Sequence, residues 1–224
     1  LAVGGPVLNA TYLTKYLAPD FDTLLVVGEK EDHEQSAEYL ATNLSIGYTS
    51  IQGMGRSINP AWDYFAYQKL KKLIKEFKPD IVHTHAAKPG AIGRLAAAAA
   101  GVPVVVHTFH GHVFHSYFNS LKSKFFINTE RYLATKSDAI VAISEQQRKE
   151  LVEDFKIAPA DKFRLIPLGL DLDKFTNNIE EKRQKFRQSF ELADDVVAIG
   201  IIGRLVPIKN HYLFIKAIKH VLDN

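Results

Sequence analysis

The sequence predicts an α/β fold built on a parallel sheet with helices on both faces. Short apolar runs rich in Val, Ile and Leu alternate with segments of helical periodicity along most of the 224 residues. The runs are almost continuously apolar, which is typical of strands buried on both faces. Strand–helix alternation of this kind builds a parallel sheet, and such sheets bind their ligands outside the carboxyl ends of the strands.

The expected elements of the first eighty residues are a helix at 4–17, a strand at 23–27, a weaker strand near 45–51 and a helix at 62–77. Pro6 suits the first turn of the first helix, and Pro79 ends the second, because the residue before a proline avoids helical geometry. The acidic stretch 29–44 has no clear periodicity. Since no strand precedes the first helix, we expect the strand that opens the sheet to lie upstream of Leu1.

The alternation continues with strands at 80–85, 102–107, 139–143 and 163–167 and with helices at 90–100, 121–136 and 145–155. Gly101 suits the end of the alanine-rich helix, because glycine readily adopts the left-handed conformation found there. Ser144 suits the N-cap of the last helix, where its hydroxyl can accept a backbone hydrogen bond. These residues therefore supply most of the predicted sheet.

The pattern changes after residue 170. The expected elements there are turns at 171–178, a highly charged helix at 180–190, a buried strand at 196–202 and a helix at 209–222. One strand and one helix cannot form a domain alone. We therefore expect a first domain at 1–175, a linker with the charged helix at 176–195, and the start of a second α/β domain at 196–224.

The composition excludes several classes of protein. With 46% apolar and 11% aromatic residues the chain can bury a core, which excludes a disordered protein. Because the sequence has no cysteine, disulfides, thiolate metal sites and a cysteine nucleophile are excluded, and a cytosolic location is compatible with this. No apolar run reaches the roughly 18 residues of a membrane-spanning helix, so an integral membrane protein is not expected.

The net charge of +3 conceals a basic middle section. Residues 61–136 carry eleven Lys and Arg against four Asp and Glu, whereas residues 1–60 carry three against seven. Aromatic side chains interleave with these lysines. Two solvated amphipathic helices would explain the pattern, and so would a face that contacts anionic lipid or a lipid-linked substrate. Nucleic acid is not expected as a partner, because no nucleic-acid-binding motif accompanies the charge.

Gly4 and Gly5 precede a helix N-terminus, where backbone N–H groups and the helix dipole can hold a phosphate. A plain tight turn is an equally good interpretation of two such glycines. The sequence contains neither G-x-G-x-x-G nor G-x-x-x-x-G-K-[ST], so the common dinucleotide and P-loop signatures are absent.

Residues 107–115 contain four histidines, which raises the hypothesis of a metal site. No carboxylate stands at ligand spacing beside them, so most are expected to be structural, as are His83 and His85 on one face of a strand. His110 differs, because it stands with Gly111 where a strand ends, at the edge that binds ligands. We expect His110 to hydrogen-bond to a substrate hydroxyl or to a developing charge.

Arg204 and Lys209 lie five residues apart across a predicted strand–turn–helix junction. A guanidinium can bind two oxygens and an ammonium acts as a point charge, so the two side chains suit a diphosphate. Two solvated surface cations are the alternative.

In this order and spacing, the motifs resemble those of the family 4 retaining glycosyltransferases, which have the two-domain GT-B fold. The motifs are Gly4-Gly5, Pro79-Asp80-Ile81-Val82-His83-Thr84-His85, Ala100-Gly101-Val102-Pro103, Thr108-Phe109-His110-Gly111, Asp138-Ala139-Ile140-Val141-Ala142-Ile143-Ser144-Glu145, Pro167-Leu168-Gly169-Leu170-Asp171 with Phe175, and Gly203-Arg204-Leu205 with Lys209-Asn210. Residues 85–136 resemble in particular bacterial members that build surface polysaccharide or exopolysaccharide on a lipid carrier.

The resemblance implies a Rossmann-like acceptor-side domain followed by the start of a Rossmann-like donor-binding domain. It also implies transfer of a sugar, with retention, from a nucleoside-diphosphate sugar to a glycan or lipid-linked acceptor, without a metal or other cofactor. The implied site residues are Gly4, Gly5, Arg204 and Lys209 for the donor diphosphate, His110 and Gly111 for the donor sugar, and His110, Arg204 and Lys209 for catalysis.

The sequence ends before the position of the family's Glu-x-x-x-x-x-x-x-Glu motif, so the polypeptide as given is not expected to be a competent enzyme. Two alternatives to a glycosyltransferase remain open. One is a nucleotide-sugar 2-epimerase of the same architecture, and the other is a non-catalytic module that binds a carbohydrate or a lipid carrier. The expected location is the cytoplasm, with peripheral contact to the inner face of the membrane through residues 61–136.

Overall fold

The computed structural model describes residues 4–30, 35–55, 57–111, 120–203 and 205–223. The chain divides into two compact units, Leu1–Gly169 and Leu170–Asn224, and each is described by itself. The strands described in the first unit are β1 (Leu25–Gly28), β2 (Tyr48–Ile51), β3 (Ile81–His85), β4 (Val104–Phe109), β5 (Ala139–Ala142) and β6 (Phe163–Leu165). Its described helices are α1 (Gly5–Tyr16), α2 (Glu38–Leu44), α3 (Pro60–Phe77), α4 (Ala87–Ala100), α5 (Ser120–Ala134) and α6 (Glu145–Lys149).

These strands form two parallel sheets. β1 pairs with β2, with Leu25 opposite Tyr48. The remaining strands pair in the order β3-β4-β5-β6, and every pair is parallel. The predicted α/β architecture with parallel strands is therefore confirmed, although the described strands separate into two sheets where one was expected.

A common hydrophobic core joins the two sheets. Val26 of β1 and Ile51 of β2 pack against the same cluster of side chains as Val105 of β4. Helix α3 adds Leu70 and Ile74, which lie four residues apart and therefore on one face of the helix. The apolar spacing that predicted this helix thus also supplies the layer that holds the sheets together.

Helix α4 packs directly on β3 and β4. The approach is so close that two positions of the helix leave no room for a side chain. A Cβ atom at Gly90 would stand 2.5 Å from His107 Cε1, and one at Gly93 would stand 2.7 Å from Thr84 Cγ2. Glycine is the residue that permits such close approach of one backbone to its neighbours. The contact fixes β3 and β4 relative to the helix above them.

A buried ion pair ties α4 to α5. The side chain of Arg94 is fully buried, and its Nη2 donates to Glu130 Oε2 at 2.8 Å while its Nε donates to the Gly90 carbonyl at 3.0 Å. Burial lowers the pKa of Arg94 and raises the pKa of Glu130, and the attraction between the two charges opposes both shifts. Each of the two buried side chains therefore depends on the other to remain charged.

In the second unit the described elements are α7 (Asp173–Thr176), α8 (Ile179–Ser189), a 3₁₀ turn (Pro207–Lys209) and α9 (His211–Asp223). The predicted charged helix corresponds to α8, and the predicted last helix corresponds to the 3₁₀ turn followed by α9. Among the helices of the described ranges, in either unit, none combines the length and the apolar character needed to cross a membrane.

The strand predicted at 196–202 is wrong. The described residues of this segment have no strand hydrogen bonding, and Val197 is 81% exposed while Ile202 is fully exposed. A strand is stabilised by pairing with a neighbour, and no strand is present in the described part of this unit to pair with it. An apolar run in the sequence was therefore not sufficient to predict a strand in this segment.

One stretch without a predicted element is helical, and one further prediction needs correction. The acidic stretch 29–44 contains α2, a short helix with Ala41 buried against β1. The helix predicted at 145–155 is α-helical only in α6, after which Glu150–Asp154 form a π-helical turn. Ser144 caps α6 as predicted, since its Oγ accepts a hydrogen bond from the Gln147 amide at 3.2 Å.

Replacing Arg94 with alanine is expected to lower the free energy of unfolding by about 3–5 kcal/mol, because Glu130 is left buried without its partner. Urea unfolding of the intact protein followed by circular dichroism measures the change. Lys72→Ala is the control, because Lys72 pairs with Glu76 at the surface, at 3.7 Å. This substitution should lower the free energy of unfolding by less than about 1 kcal/mol. Equal small losses in both variants would contradict the expectation.

Candidate active site

The carboxyl ends of β3 and β4 bring three histidines together. His85 is the last residue of β3 and pairs in register with Thr108 of β4, two residues before His110. Because the two strands are parallel neighbours, the side chains that follow them emerge at the same edge of the sheet. His83 and His85 lie on one face of β3, as predicted, with ring centroids 4.3 Å apart.

Hydrogen bonds order this cluster. His85 Nδ1 lies 2.9 Å from His110 Nε2, and His83 Nε2 lies 2.7 Å from the Thr108 hydroxyl. In a bond between two neutral imidazoles one nitrogen donates its proton and the other accepts it. His85 therefore holds the ring of His110 in one orientation, while the ring of His83, which Thr108 fixes, packs against His85.

His110 keeps one nitrogen uncommitted. Its Nδ1 is buried and has no hydrogen-bond partner among the described residues. Buried polar atoms are nearly always hydrogen-bonded, so an unpartnered nitrogen beside this edge of the sheet makes His110 a candidate for a ligand contact. A hydroxyl is a suitable ligand group, because it can donate or accept one hydrogen bond.

The fourth described histidine of this region, His107, is structural. It is buried beneath Gly90 of α4, and its Nδ1 lies 2.8 Å from the Thr84 hydroxyl, which donates in turn to the Val106 carbonyl at 3.2 Å. His107 Nδ1 is then the donor toward Thr84. The sequence expectation that most of these histidines are structural holds for His107, while His112 and His115 lie outside the described residues.

The cluster is electrically neutral at physiological pH. Burial and the nearby His110 lower the pKa of His83 to about 4, and burial with His83 and His110 lowers the pKa of His85 to about 3. Burial also lowers the pKa of His110. The pKa of His107 falls well below its ordinary value, first through burial and then through the charge of Arg94. The cluster therefore offers neutral hydrogen-bonding groups rather than a positive imidazolium.

Gly111 follows His110 with φ of +141°, a conformation that side chains with a Cβ rarely adopt. It is exposed, and a Cβ built there would meet nothing within 4 Å. Glycine is therefore required by the turn of the backbone rather than by crowding.

Gly4 and Gly5 form the N-terminus of α1. Gly4 is the N-cap residue and supplies no side-chain cap, and both glycines are exposed. The amide groups of this first turn are thus open to an anion. Helix α1 packs against α2 and β1 through Val7 and Ala10.

Lys209 belongs to the second unit. It is exposed at the end of the 3₁₀ turn, and its side-chain stem passes Gly203, at which a Cβ would stand 3.6 Å from Lys209 Cγ. Lys209 therefore folds back against the residue that precedes Arg204. Arg204 itself lies outside the described residues, so the predicted cation pair stays a prediction.

A cleft at the carboxyl ends of β1 and β2 was missed by the sequence analysis. It has a volume of about 290 Å³ and is lined by Glu29, Lys30, Gln52, Gly53, Gly55, Ser57, Asn59 and Trp62. These residues come from two stretches of the chain, one directly after β1 and one that leads from β2 into α3, so no single local motif marks the cleft. The one available signal was the sole tryptophan of the sequence, placed at the start of a helix after a polar turn. Within the described ranges, no three His, Asp or Glu side chains converge as metal ligands.

Comparison with known proteins gives consistent matches. The sequence model of Glycosyltransferase Family 4 matches residues 3–174. UDP-Gal:alpha-D-GlcNAc-diphosphoundecaprenol alpha-1,3-galactosyltransferase of Escherichia coli is 33% identical over 169 residues, which are 75% of this chain and 43% of that protein. A GDP-mannose-dependent monoacylated alpha-(1-6)-phosphatidylinositol monomannoside mannosyltransferase of Corynebacterium glutamicum is 26% identical over 95% of this chain and 53% of its own length. The chain spans about half the length of these curated relatives.

Solved structures show the same fold. HepE of Anabaena, in complex with UDP and glucose, superposes with a TM-score of 0.73 at 18% identity, over 96% of this chain and 54% of that one. UDP-GlcNAc 2-epimerase of Neisseria meningitidis, bound to UDP-GlcNAc, superposes with a TM-score of 0.54 at 17% identity, over 85% of this chain and 52% of that one. At such identities the likeness establishes the fold alone, and it confirms the predicted fold class.

The free energy of unfolding is expected to fall as the pH is lowered below about 6.5. In the unfolded chain His85 binds a proton near pH 6.5, whereas in the folded chain, where it is half-buried, it does so only at about pH 3. The unfolded state therefore binds more protons in this window, and His85 contributes up to about 1.4 kcal/mol per pH unit. Urea unfolding at a series of pH values measures the slope.

The variant His85→Gln should show a shallower slope than the wild type, because one depressed histidine is removed. His220→Gln is the control, since His220 is exposed on α9, and it should leave the slope unchanged. A free energy of unfolding that stays constant or rises as the pH is lowered from 6.5 to 5 would contradict the lowered pKa of His85 in the folded state.

Proposed function

The chain belongs to Glycosyltransferase Family 4, and from this membership we propose that the intact protein transfers a sugar from a nucleoside-diphosphate sugar, with retention of anomeric configuration. The acceptor is a glycan or a lipid-linked glycan, in the synthesis of cell-surface polysaccharide or exopolysaccharide. The E. coli and C. glutamicum relatives, whose names give a diphosphoundecaprenol-linked acceptor and a phosphatidylinositol mannoside acceptor, support this choice.

The observation that carries the proposal is the orphaned Nδ1 of His110 at the carboxyl edge of β4. A sugar donor offers hydroxyl groups, each of which can complete the hydrogen bonding of that nitrogen. The neighbouring His85 orients the ring, and the depressed pKa of both histidines keeps them uncharged. His110 therefore positions the donor sugar instead of acting as a nucleophile.

The leaving diphosphate is the group on which negative charge develops during the reaction. Negative charge grows on it as the bond to the anomeric carbon breaks and the sugar becomes oxocarbenium-like. The Gly5 amide at the exposed N-terminus of α1 can donate to that charge, and the cationic side chains of Arg204 and Lys209 are proposed for the same role from the family membership. The acceptor hydroxyl oxygen then forms the new bond to the anomeric carbon on the same face that the diphosphate leaves, and the proton of the hydroxyl passes to the departing diphosphate.

The test is nucleotide release by the intact protein from a panel of UDP-, GDP- and ADP-sugars, with membrane lipid extract as the source of acceptor. One donor should give nucleoside diphosphate only when extract is present. Arg204→Ala and Lys209→Ala should each lower turnover at least ~100-fold, because each removes a group that stabilises the transition state. Lys219→Ala, an exposed lysine of α9, is the matched control and should retain full activity.

Three outcomes would count against the proposal. Conversion of a nucleotide-sugar to its epimer without any acceptor would identify a 2-epimerase. Binding of glycan without turnover of any donor would identify a binding module. Near-normal turnover in both cation variants would remove the assignment of Arg204 and Lys209 to the diphosphate.

Peripheral contact with the inner face of the cytoplasmic membrane is the second part of the proposal. The exposed surface of α3 combines Lys69 and Lys72 with Tyr64, which is 65% exposed, and Phe65, whose ring lies 4.5 Å from the ammonium of Lys69. Lysines beside exposed aromatic rings suit the headgroup region of an anionic bilayer, where a membrane-linked acceptor is presented.

The intact protein is expected to bind vesicles that contain phosphatidylglycerol at low salt, and to be released as salt is raised. The double variant Lys69→Glu/Lys72→Glu should weaken vesicle binding at least ~10-fold in a sedimentation assay, since each lysine near the surface contributes about 1 kcal/mol. Lys216→Glu/Lys219→Glu on α9 is the charge-matched control. Equal binding by all three proteins would remove the assignment of the membrane contact to α3.

A further inference from the structure

The cleft at the ends of β1 and β2 is held open by its own backbone. A Cβ at Gly28, the last residue of β1, would lie 1.9 Å from the Met54 carbonyl oxygen, so the turn after β2 passes directly against the end of β1. Gly53 has φ of +84°, and a Cβ there would lie 2.9 Å from the Trp62 carbonyl oxygen. Its amide donates to Glu29 Oε2 at 3.4 Å. The walls of the cleft are therefore formed without any ligand.

Trp62 presents an aromatic surface to this cleft. Its indole is 48% exposed, and it rests against Gly53 on one side and against Phe65, with ring centroids 5.7 Å apart, on another. The amide of Trp62 donates to the Asn59 side chain at 3.2 Å, which fixes the first turn of α3. A large ring is thus held in position while about half of it remains accessible.

A lysine joins the cleft to the histidine cluster. Lys88, in the first turn of α4, pairs with Asp63 Oδ1 at 2.5 Å and also donates to the Ser57 carbonyl of the cleft wall. Helix α4 begins two residues after His85. The segment that carries His85 and the wall that carries Trp62 are therefore tied to each other by one half-buried cation.

We infer that this cleft binds a pyranose ring of the acceptor glycan, an assignment that rests on the proposed transfer reaction. A pyranose has an apolar C–H face that packs on an indole and a rim of hydroxyls that need donors and acceptors. Trp62 supplies the apolar surface, the Glu29 carboxylate accepts, and the Lys30 ammonium and Gln52 amide donate. At about 290 Å³ the cleft matches the smallest ligand sites, which suits one ring.

The composition of the cleft argues against the other parts of the substrates. Charged and amide side chains make up half of its lining, so an acyl or polyprenyl chain would leave them desolvated and unpaired. A diphosphate would meet one carboxylate, Glu29, for the one ammonium, Lys30, which is a poor match for a double negative charge. The donor sugar is assigned to His110, which leaves the acceptor ring as the occupant.

Fluorescence provides a direct test, because Trp62 is the sole tryptophan of this sequence. The difference between the emission of the intact wild type and of Trp62→Phe isolates its signal. Methyl glycosides of glucose, galactose, mannose and N-acetylglucosamine are titrated without any nucleotide. At least one should give a saturable change in the Trp62 signal, and Glu29→Gln should weaken that binding at least ~3-fold. The absence of a saturable change with every glycoside would overturn the inference.

Kinetics on the intact protein provide the second readout. Trp62→Ala should raise the KM for the extract-derived acceptor at least ~10-fold while the KM for the donor stays unchanged, and Trp62→Phe should lose less. Tyr39→Ala, which removes a 54%-exposed ring on α2, is the matched control and should behave as wild type. An increase in the donor KM alone, or no change in either KM, would overturn the assignment.

The two readouts separate this inference from the proposed function. Transfer by the wild type with an unchanged acceptor KM in Trp62→Ala would refute the cleft and leave the transferase intact. Saturable binding of glycosides at Trp62 in a protein that transfers no sugar would refute the transferase and support the cleft as a carbohydrate site.

Discussion

The close contact of α4 with β3 and β4 is the constraint on which the rest of the first unit depends. Gly90 and Gly93 allow the helix backbone to rest on His107 and Thr84, and Arg94, one turn after Gly90, anchors the same helix to α5 through Glu130. The helix can neither slide nor rotate without a steric clash or an unpaired buried charge. The edge where β3 and β4 end is consequently rigid. A hydrogen bond between side chains at the ends of two different strands requires such rigidity.

Charge is distributed so that the interior of this edge is neutral and the surface is basic. Desolvation lowers the pKa of the half-buried His85, whereas Lys69 and Lys72 of α3 lie exposed at the surface. A neutral interior suits recognition of sugar hydroxyls, whereas exposed cations suit long-range attraction of anionic lipid or phosphate. Lys88 forms an ion pair with Asp63 and donates to a backbone carbonyl. It therefore links two parts of the structure, and its charge is compensated by Asp63.

Much of the architecture followed from sequence because it is encoded locally. The spacing of Leu70 and Ile74 and the cap at Ser144 are properties of single segments, and the structure reproduces both. The strand predicted at 196–202 was wrong, since apolar character says what a segment prefers but not whether a partner strand is there. The bond between His85 and His110 was beyond sequence reasoning for a related reason, because it depends on strand register. The cleft at Trp62 combines turns some thirty residues apart, and only the folded chain brings them together.

The hydrogen bond between His85 and His110 can form with either of two pairs of neutral tautomers, which has a consequence for what the site can recognise. When His110 Nε2 donates, its Nδ1 is a lone pair and His85 carries its own proton on Nε2; when His85 Nδ1 donates, His110 bears its proton on Nδ1. The two arrangements have the same net charge, and one changes into the other by exchange of protons at the two outer nitrogens as well as in the bond itself. The polarity of His110 Nδ1 is therefore reversible, so in the proposed site a sugar hydroxyl oriented in either sense can be satisfied without moving a heavy atom of the protein.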